Sequence, residues 1–526
     1  MLHGHDAGGK GTPIIPPQRN VTDESPSLGK QAAQGAIWNY AAFILSKGLL
    51  FVATLILARV LSPSEFGLVG MALLVILALD IFRDFGIGAA LIYNQKGGIP
   101  AANMAFFLST GLGVALFALN WLLAPLAPHF FRVDSAADAE LMVSLLRTLG
   151  FSLLFASFGS TQDALLQKDI NFRKRMVPEV GRTLVKGLLS VALALTGWGV
   201  WSLVIGQVVG EACATLLLWI VSPWRPSRQL DRKLFRPMFG YGSQIMMVNG
   251  LGTLVADIDY LIIGRLLGEA SLGLYTIAYR IPEMLVTNLS QAVSNVAFPV
   301  VARLQADLAA MREAYLKMQH YMLVIVAPLG FGLGAITPTL MHILFQSRWD
   351  PAIPVMQVLS IYMVLGAVSH WPGVVYKALG RPGILNRLSF LKLAMLAPAL
   401  WWAATNYGIV GVAWAHLVVR VIGILIDMWV VSRFVKIGVL TILRAIWPPV
   451  AASLVMALVV RVIFTLSPDE QSIPVMLLAI VVGAAVYAAT IWVLDRQAVM
   501  SLLTLGRSLI QRRRPAPATD LLPDPH

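Results

Sequence analysis

From residue 33 onward the chain is a succession of apolar runs, each of helix length and each closed by a turn signal or a cluster of charges. About 20 residues cross the hydrocarbon of a bilayer as an α-helix. Fourteen stretches meet that length: 33–61, 66–94, 101–127, 138–167, 174–196, 199–222, 238–267, 271–302, 314–345, 352–379, 382–406, 409–434, 443–466 and 472–494. A backbone in lipid must satisfy its own hydrogen bonds, and runs of this length do so as helices. Composition excludes a soluble protein: 57% of the residues are hydrophobic and 13% charged, against about 25% charged in soluble domains. The expected fold class is all-α and polytopic, with about 14 transmembrane helices.

The net charge of +13 does not call for nucleic acid, because its lysines and arginines cluster on alternate loops. One set holds Lys168, Arg173, Lys174 and Arg175, then Arg225, Arg228, Arg232, Lys233 and Arg236, then Arg303, Arg312 and Lys317, then Lys377 and Arg381, then Arg433, Lys436 and Arg444. The other set is short and acidic or neutral, with Glu65, Asp134, Asp138, Glu140, Glu269, Arg348, Asp350, Asp469 and Glu470. Basic loops stay in the cytoplasm, so both termini are expected there, as polar tails over 1–32 and 496–526. The second tail carries Arg512, Arg513 and Arg514, within reach of anionic lipid headgroups. The single cysteine, Cys213, excludes an intramolecular disulfide and a cysteine-built zinc site.

An internal repeat divides the spans. Ala58-Arg59-Val60-Leu61 followed by Phe66-Gly67-Leu68 is echoed 206 residues later by Gly264-Arg265-Leu266-Leu267 and Leu272-Gly273-Leu274. Ser202-Leu203-Val204 is echoed 214 residues later by His416-Leu417-Val418. Two six-helix lobes are expected, 33–222 and 238–434, joined by a basic linker over 223–237 and followed by two further spans in 435–495. Paired repeats of this kind place a cargo site between them. Gly242, Gly250 and Gly252 are candidates for close helix packing, and Pro282, Pro299 and Pro328 for kinks.

Several runs carry ionisable residues well inside them. Lys47 lies about 16 Å along the helix from Ala36 and about 18 Å from Arg59, near the midplane and too deep to snorkel easily. A cation there costs about 2.5–3.5 kcal/mol or more and must face protein, water or an anion. Arg59 and Arg265, at run ends, read as snorkelling anchors. Asp80, Arg83 and Asp84 share one helix face by their spacing. Arg182 and Lys186, four apart, put two like charges on one face. Asp257 and Asp259, two apart, cannot share a face. The deep charges of the first half, Lys47, Arg83, Arg147, Arg182 and Lys186 against Asp80 and Asp84, leave a surplus of three cations. In the second half Arg280, Lys392 and Arg420 balance Asp257, Asp259 and Asp427.

Four stretches carry a family resemblance. Gly35-Ala36-Ile37-Trp38, the segment Leu57-Ala58-Arg59-Val60-Leu61-Ser62-Pro63-Ser64-Glu65-Phe66-Gly67, Arg83-Asp84-Phe85-Gly86, and Ala164-Leu165-Leu166-Gln167-Lys168-Asp169-Ile170-Asn171-Phe172-Arg173 resemble bacterial polysaccharide exporters. These are the Wzx-like flippases of the multidrug/oligosaccharidyl-lipid/polysaccharide superfamily, in the colanic-acid and succinoglycan branch. The resemblance implies a V-shaped pair of lobes in the bacterial inner membrane. It also implies a cargo of undecaprenyl-pyrophosphate-linked oligosaccharide, moved from the inner to the outer leaflet. Its partners would be that lipid-linked glycan, membrane lipids, a polysaccharide polymerase and glycosyltransferases, with no nucleic acid.

Such a cargo needs a cationic, hydrated cleft open sideways to lipid. The expected cargo-binding residues are Lys47, Arg83, Arg182, Lys186, Lys392 and Arg420, with Arg182 and Lys186 foremost. Asp80, Asp84, Asp257 and Asp259 are the expected ion-coupling or gating residues, for H+ or Na+. No cofactor, metal or catalytic residue is expected. An enzyme is disfavoured because no loop exceeds about 20 residues and no Gly-x-x-x-x-Gly-Lys-Ser/Thr phosphate loop occurs. A lipid II flippase and a drug or cation antiporter of the same superfamily are the competing readings, the second opposed by the cation surplus.

Overall fold

In the computed structural model, residues 45–93, 98–169, 171–287, 307–379, 381–467, 471–496 and 500 are described. The first tail, most of the second, residues 33–44 of the first run, Pro299 and the side chain of Asp84 lie outside them. The described residues are helical almost throughout: α1 (45–60), α2 (Pro63–Asp84), α3 (Ile87–Tyr93), α4 (Gly98–Leu123), α5 (Ala127–Phe130), α6 (Ala136–Lys168), α7 (Phe172–Leu195), α8 (Trp201–Val221), α9 (Phe235–Leu266), α10 (Glu269–Pro282), α11 (Leu308–Leu344), α12 (Ile353–Ala378), α13 (Pro382–Val435), α14 (Val439–Leu466) and α15 (Ile473–Leu494). Among them, ten helical stretches are long and apolar enough to cross a membrane. The helix α7 is not one of the ten. It carries Arg173, Lys174, Arg175, Glu179, Arg182 and Lys186, and those charges shape the site described below.

α13 is assigned as one helix of 54 residues, yet Gly408 inside it has φ 63° and ψ −153°. At 1.5 Å per residue that length is about 80 Å, more than twice the hydrocarbon core. The stretch is two helices meeting at Gly408, between the runs predicted to end at 406 and to begin at 409. Only glycine adopts that conformation without strain.

Local chemistry starts α2 where the sequence breaks its apolar run. Ser62 and Glu65 form a capping box: the Ser62 backbone N–H donates to Glu65 Oε2 at 2.7 Å, and the Glu65 N–H donates to Ser62 Oγ at 3.3 Å. Pro63 sits at the first turn, where its missing N–H costs nothing. The segment Ser62-Pro63-Ser64-Glu65 is thus a helix start and holds α2 at a fixed angle to α1.

The first half of the chain packs α2, α4, α6, α7 and α8 against one another, and the second packs α11, α12, α13, α14 and α15. The two halves meet chiefly where α10 lies along α2. A Cβ on Gly67 would stand 1.6 Å from the Glu269 carbonyl oxygen, and one on Gly273 would stand 1.9 Å from the Pro63 carbonyl oxygen. The repeat-related glycines therefore face each other, each making room for the other's backbone, as tight membrane-helix crossings require. One continuous core runs through this crossing, from Leu57 and Met71 through Leu272 and Tyr275 to Trp349 and Trp371. At the opposite, basic-loop end, α9 passes beside α3. A Cβ on Gly242 would lie 2.4 Å from the Phe85 carbonyl oxygen, and the rings of Phe85 and Phe239, and of Tyr93 and Tyr241, pair at 4.5 and 4.7 Å.

Because backbone, not a flexible side chain, occupies the space beside Gly67 and Gly273, Gly67→Ala and Gly273→Ala are expected to push α2 and α10 apart. Each should destabilise the protein in detergent by about 1–3 kcal/mol, read by denaturant or thermal unfolding. Gly252→Ala, with open space around its Cβ position, should be neutral in the same assay.

Candidate functional site

A cavity of about 800 Å³ opens in the basic-loop part of the first half. Its walls come from α1, α2, α3, α6, α7 and α8, and its charged lining is Lys47, Arg83, Arg175 and Arg182 with Asp163, Glu179 and Glu211. A second, smaller cavity of about 230 Å³ lies between the halves, lined by α1 and α10 with Lys47, Arg280 and Glu283 as its charges. Lys47 lines both, so it stands where the two spaces adjoin.

Each arginine of the larger cavity is held by a carboxylate. Arg83 Nε lies 2.5 Å from Asp80 Oδ1, the i, i+3 pair expected from the spacing. Arg175 makes a two-pronged pair with Asp163, at 2.7 and 3.0 Å, joining the start of α7 to the end of α6. Arg182 pairs with Glu179 one turn back and reaches Glu211 on α8 at 3.4 Å. Paired this way, the guanidinium groups avoid the penalty of an uncompensated cation in the membrane. All three arginines line the cavity, where a stronger anion can compete with their carboxylates.

The sequence expectations divide sharply here. Lys47, Arg83 and Arg182 line the cavity. Lys186 does not: it sits a turn further along α7, its Cβ side packed near Gly210 of α8, with no hydrogen bond or ion pair among the described residues. Of the two residues ranked foremost, only Arg182 is on the wall, and Lys47 is better placed than either. Lys392 and Arg420 are also away from the cavity. Lys392 Nζ is bonded to Asp427 Oδ2 at 2.6 Å, and Arg420 donates to the Tyr362 hydroxyl at 2.5 Å while lying over the same ring at 4.4 Å. Arg147, counted in the cation surplus, stacks on Trp121 at 5.1 Å.

The surplus of three itself needs correction. The cavity wall holds four cations against three carboxylates. Of the wall residues not expected there, Arg175 reads in the sequence as part of a basic loop, and Asp163, Glu179 and Glu211 carry no assignment. The Glu179–Arg182 spacing of three was visible and would have found one of them.

The coupling candidates fall in different settings. Asp80 is bound to Arg83. Asp259 is buried on α9, accepting from the Tyr275 hydroxyl at 2.8 Å, with His416 Nε2 3.2 Å from the same oxygen. Asp257, two residues earlier, is half-buried on another face.

A bundle of membrane-length helices around a charge-lined cavity has the architecture of a transporter. Residues 56–354 match the family model described as "Polysaccharide biosynthesis protein". The chain belongs to that family, and its fold is that of the multidrug/oligosaccharidyl-lipid/polysaccharide superfamily, a class of flippases and exporters rather than enzymes. It is similar to the succinoglycan biosynthesis transport protein ExoT of Rhizobium meliloti, at 28% identity over 93% of this chain and 99% of that protein. It is similar also to the teichuronic acid biosynthesis protein TuaB of Bacillus subtilis, at 26% identity over 82% of this chain and 89% of that protein. Among solved structures it superposes on a lipid II flippase, MurJ, in an inward closed conformation, with a TM-score of 0.72 and 15% identity, covering 88% of this chain and all of that one.

The pair Lys392–Asp427 generates a test separate from transport. Its carboxylate is buried and its ammonium partly exposed, so Lys392→Ala or Asp427→Asn should each cost about 1–3 kcal/mol. The double variant Lys392→Met/Asp427→Leu should recover most of it. Double-mutant analysis of unfolding in detergent measures the coupling.

Proposed function

We propose that the protein flips a polyprenyl-pyrophosphate-linked oligosaccharide repeat unit across the bacterial inner membrane by alternating access, for exopolysaccharide or lipopolysaccharide export. The observation that carries this reading is the cavity bearing Lys47, Arg83, Arg175 and Arg182 in the basic-loop part of the first half. With the basic loops cytoplasmic, the cavity faces the leaflet in which such lipids are assembled, and both termini lie on that side.

Pyrophosphate suits these residues for a specific reason. Each guanidinium already has a carboxylate partner, two in the case of Arg182, and a pyrophosphate offers more charge and more acceptor oxygens than any one of them. Binding is then an exchange of partners rather than a filling of empty sites. The cavity volume falls in the range of about 300–1,000 Å³ typical of small-ligand sites. It accommodates the pyrophosphate and the first sugars, while the polyprenyl tail stays in lipid. Lys47 lines both this space and the cavity between the halves, which supports a role for it on a route from one to the other.

The family relatives support this cargo class over lipid II. The likeness to MurJ is one of fold, and a lipid II cargo would use similar phosphate chemistry. H+ or Na+ coupling is assigned to Asp80, Asp84, Asp257 and Asp259, and flipping in vesicles that an ionophore leaves unchanged would remove that assignment. The boundaries 33–222, 223–237, 238–434 and 435–495 are retained as the proposed lobes, linker and final pair of spans. A polymerase and glycosyltransferases are the proposed functional partners.

In a host whose own exporter is deleted, Arg182→Ala and Lys47→Ala should reduce polysaccharide export at least tenfold at equal membrane abundance. Lys186→Ala, off the wall, should lose less. Purified Arg182→Ala should also bind polyprenyl pyrophosphate more weakly than wild type, with little change toward an uncharged polyprenol. Normal export by both Arg182→Ala and Lys47→Ala would sink the pyrophosphate assignment.

A further inference from the structure

At the end remote from the basic loops, four arginines join the two halves in two copies of one arrangement. Arg59, closing α1, donates from Nε to the Leu344 carbonyl at 2.8 Å and from Nη2 to the Ile343 carbonyl at 2.6 Å. Those are the last carbonyls of α11. Arg265, near the end of α9 and 206 residues later, donates from Nη1 to the carbonyls of His129, at 3.0 Å, and of Phe130. Those belong to the last turn of α5. Each half thus sends the arginine from the end of its first helix to the end of the other half's third membrane segment.

The return bonds are duplicated too. Arg348, just after α11, donates to the Arg59 carbonyl at 2.6 Å, and Arg132, just after α5, donates to the Leu266 carbonyl at 3.2 Å. Their numbers differ by 216, close to the repeat offset of 214. A snorkelling anchor would reach for headgroups, so the expectation for Arg59 and Arg265 is corrected: both are bound across the interface.

The chemistry is that of a catch that can be undone. All the acceptors are carbonyls at or next to helix C-termini, which lack intrahelical donors and sit at the negative end of a helix dipole. A guanidinium fork reaches two of them at once, which an ammonium does less well. Arg59, Arg132 and Arg265 are exposed, and ion-assisted bonds in water are individually weak. Four together hold an interface that four water-bonded arginines can release.

We propose that Arg59, Arg132, Arg265 and Arg348 are the gate residues of the transport cycle, shutting the extracytoplasmic end while the cavity is open to cargo and letting go in the opposite state. This rests on the alternating-access reading and on the orientation above, but not on the cargo. Beneath the catch lies Leu272, fully buried, which reaches within 3.4 Å of where a Gly70 Cβ would stand on α2.

The test uses the full chain with Cys213→Ser and a single Leu272→Cys, labelled in intact cells with a membrane-impermeant maleimide and scaled to an exposed control, Ala136→Cys. With the four arginines intact, Leu272→Cys should label slowly. Arg59→Gln with Arg265→Gln should raise its rate at least fivefold, each single substitution less. Arg59→Lys with Arg265→Lys, which keeps charge and fold but loses the fork, should fall between. An unchanged rate in both double variants would overturn the proposal. Labelling is read in cells lacking lipid-linked glycan as well as in cells making it. A raised rate in both with no loss of pyrophosphate binding on Arg182→Ala would sink the cargo reading and leave the gate standing.

Discussion

The crossing of α2 and α10 decides where everything else can be. In lipid the hydrophobic effect does not draw helices together, so a tight crossing needs backbone close to backbone. Gly67 and Gly273 provide that on both sides at once, each with the other helix's carbonyl where a side chain would stand. The halves touch there and again at the basic-loop end, where α9 passes α3, and the larger cavity lies in the basic-loop part of the first half. The capping box at Ser62 and Glu65 belongs to the same device. It fixes where α2 begins, and so which residue of α2 meets α10.

A second constraint concerns charge. A cavity able to take a phosphate must hold cations in the membrane, yet the same cations are costly when the cavity is empty. The structure resolves this by lending each arginine a carboxylate: Asp80 to Arg83, Asp163 to Arg175, Glu179 and Glu211 to Arg182. The arrangement lowers affinity for any single anion, since a partner must be displaced. That suits a carrier, which has to release what it binds, better than a receptor, which does not. It also sets a threshold of charge below which an anion does not compete, so a glycan or lipid without phosphate gains little from these forks.

What was legible in the sequence was whatever depends on short range. Apolar run lengths found helices, ten of which among the described residues are long and apolar enough to cross a membrane, and the break at Gly408 falls between two of the runs. The i, i+3 pairing of Asp80 with Arg83 followed from spacing. The repeat, read from a few residues around Arg59 and Gly67, set Gly67 and Gly273 in equivalent places, although close packing was expected at Gly242, Gly250 and Gly252. Long-range partnerships were not legible. Arg59 looks like an anchor because the carbonyls it binds lie 285 residues away. Lys392 looks like a cargo residue because Asp427 is 35 residues off, around the turn at Gly408. The charge balance of the cavity was not legible because Asp163 and Glu211 reach their arginines only through the packing of α6 and α8 against α7.

The two halves keep their likeness unevenly, and the pattern follows from what each region must do. At the crossing, symmetry is close: glycine faces glycine and each arginine has a counterpart bonded to the same kind of carbonyl. A joint between two bodies that rock against each other opens evenly only if its bonds are matched on both sides of the axis. Inside the halves the likeness ends. The first carries arginine–carboxylate pairs around open space, whereas the second closes over Asp259, Tyr275 and His416 and over the Lys392–Asp427 pair. Cargo chemistry needs one charged wall, not two, because an anion held equally by both halves would bind them together and oppose their separation. A symmetric gate and an asymmetric interior are therefore parts of one requirement: the halves must part cleanly while one of them keeps hold of the cargo.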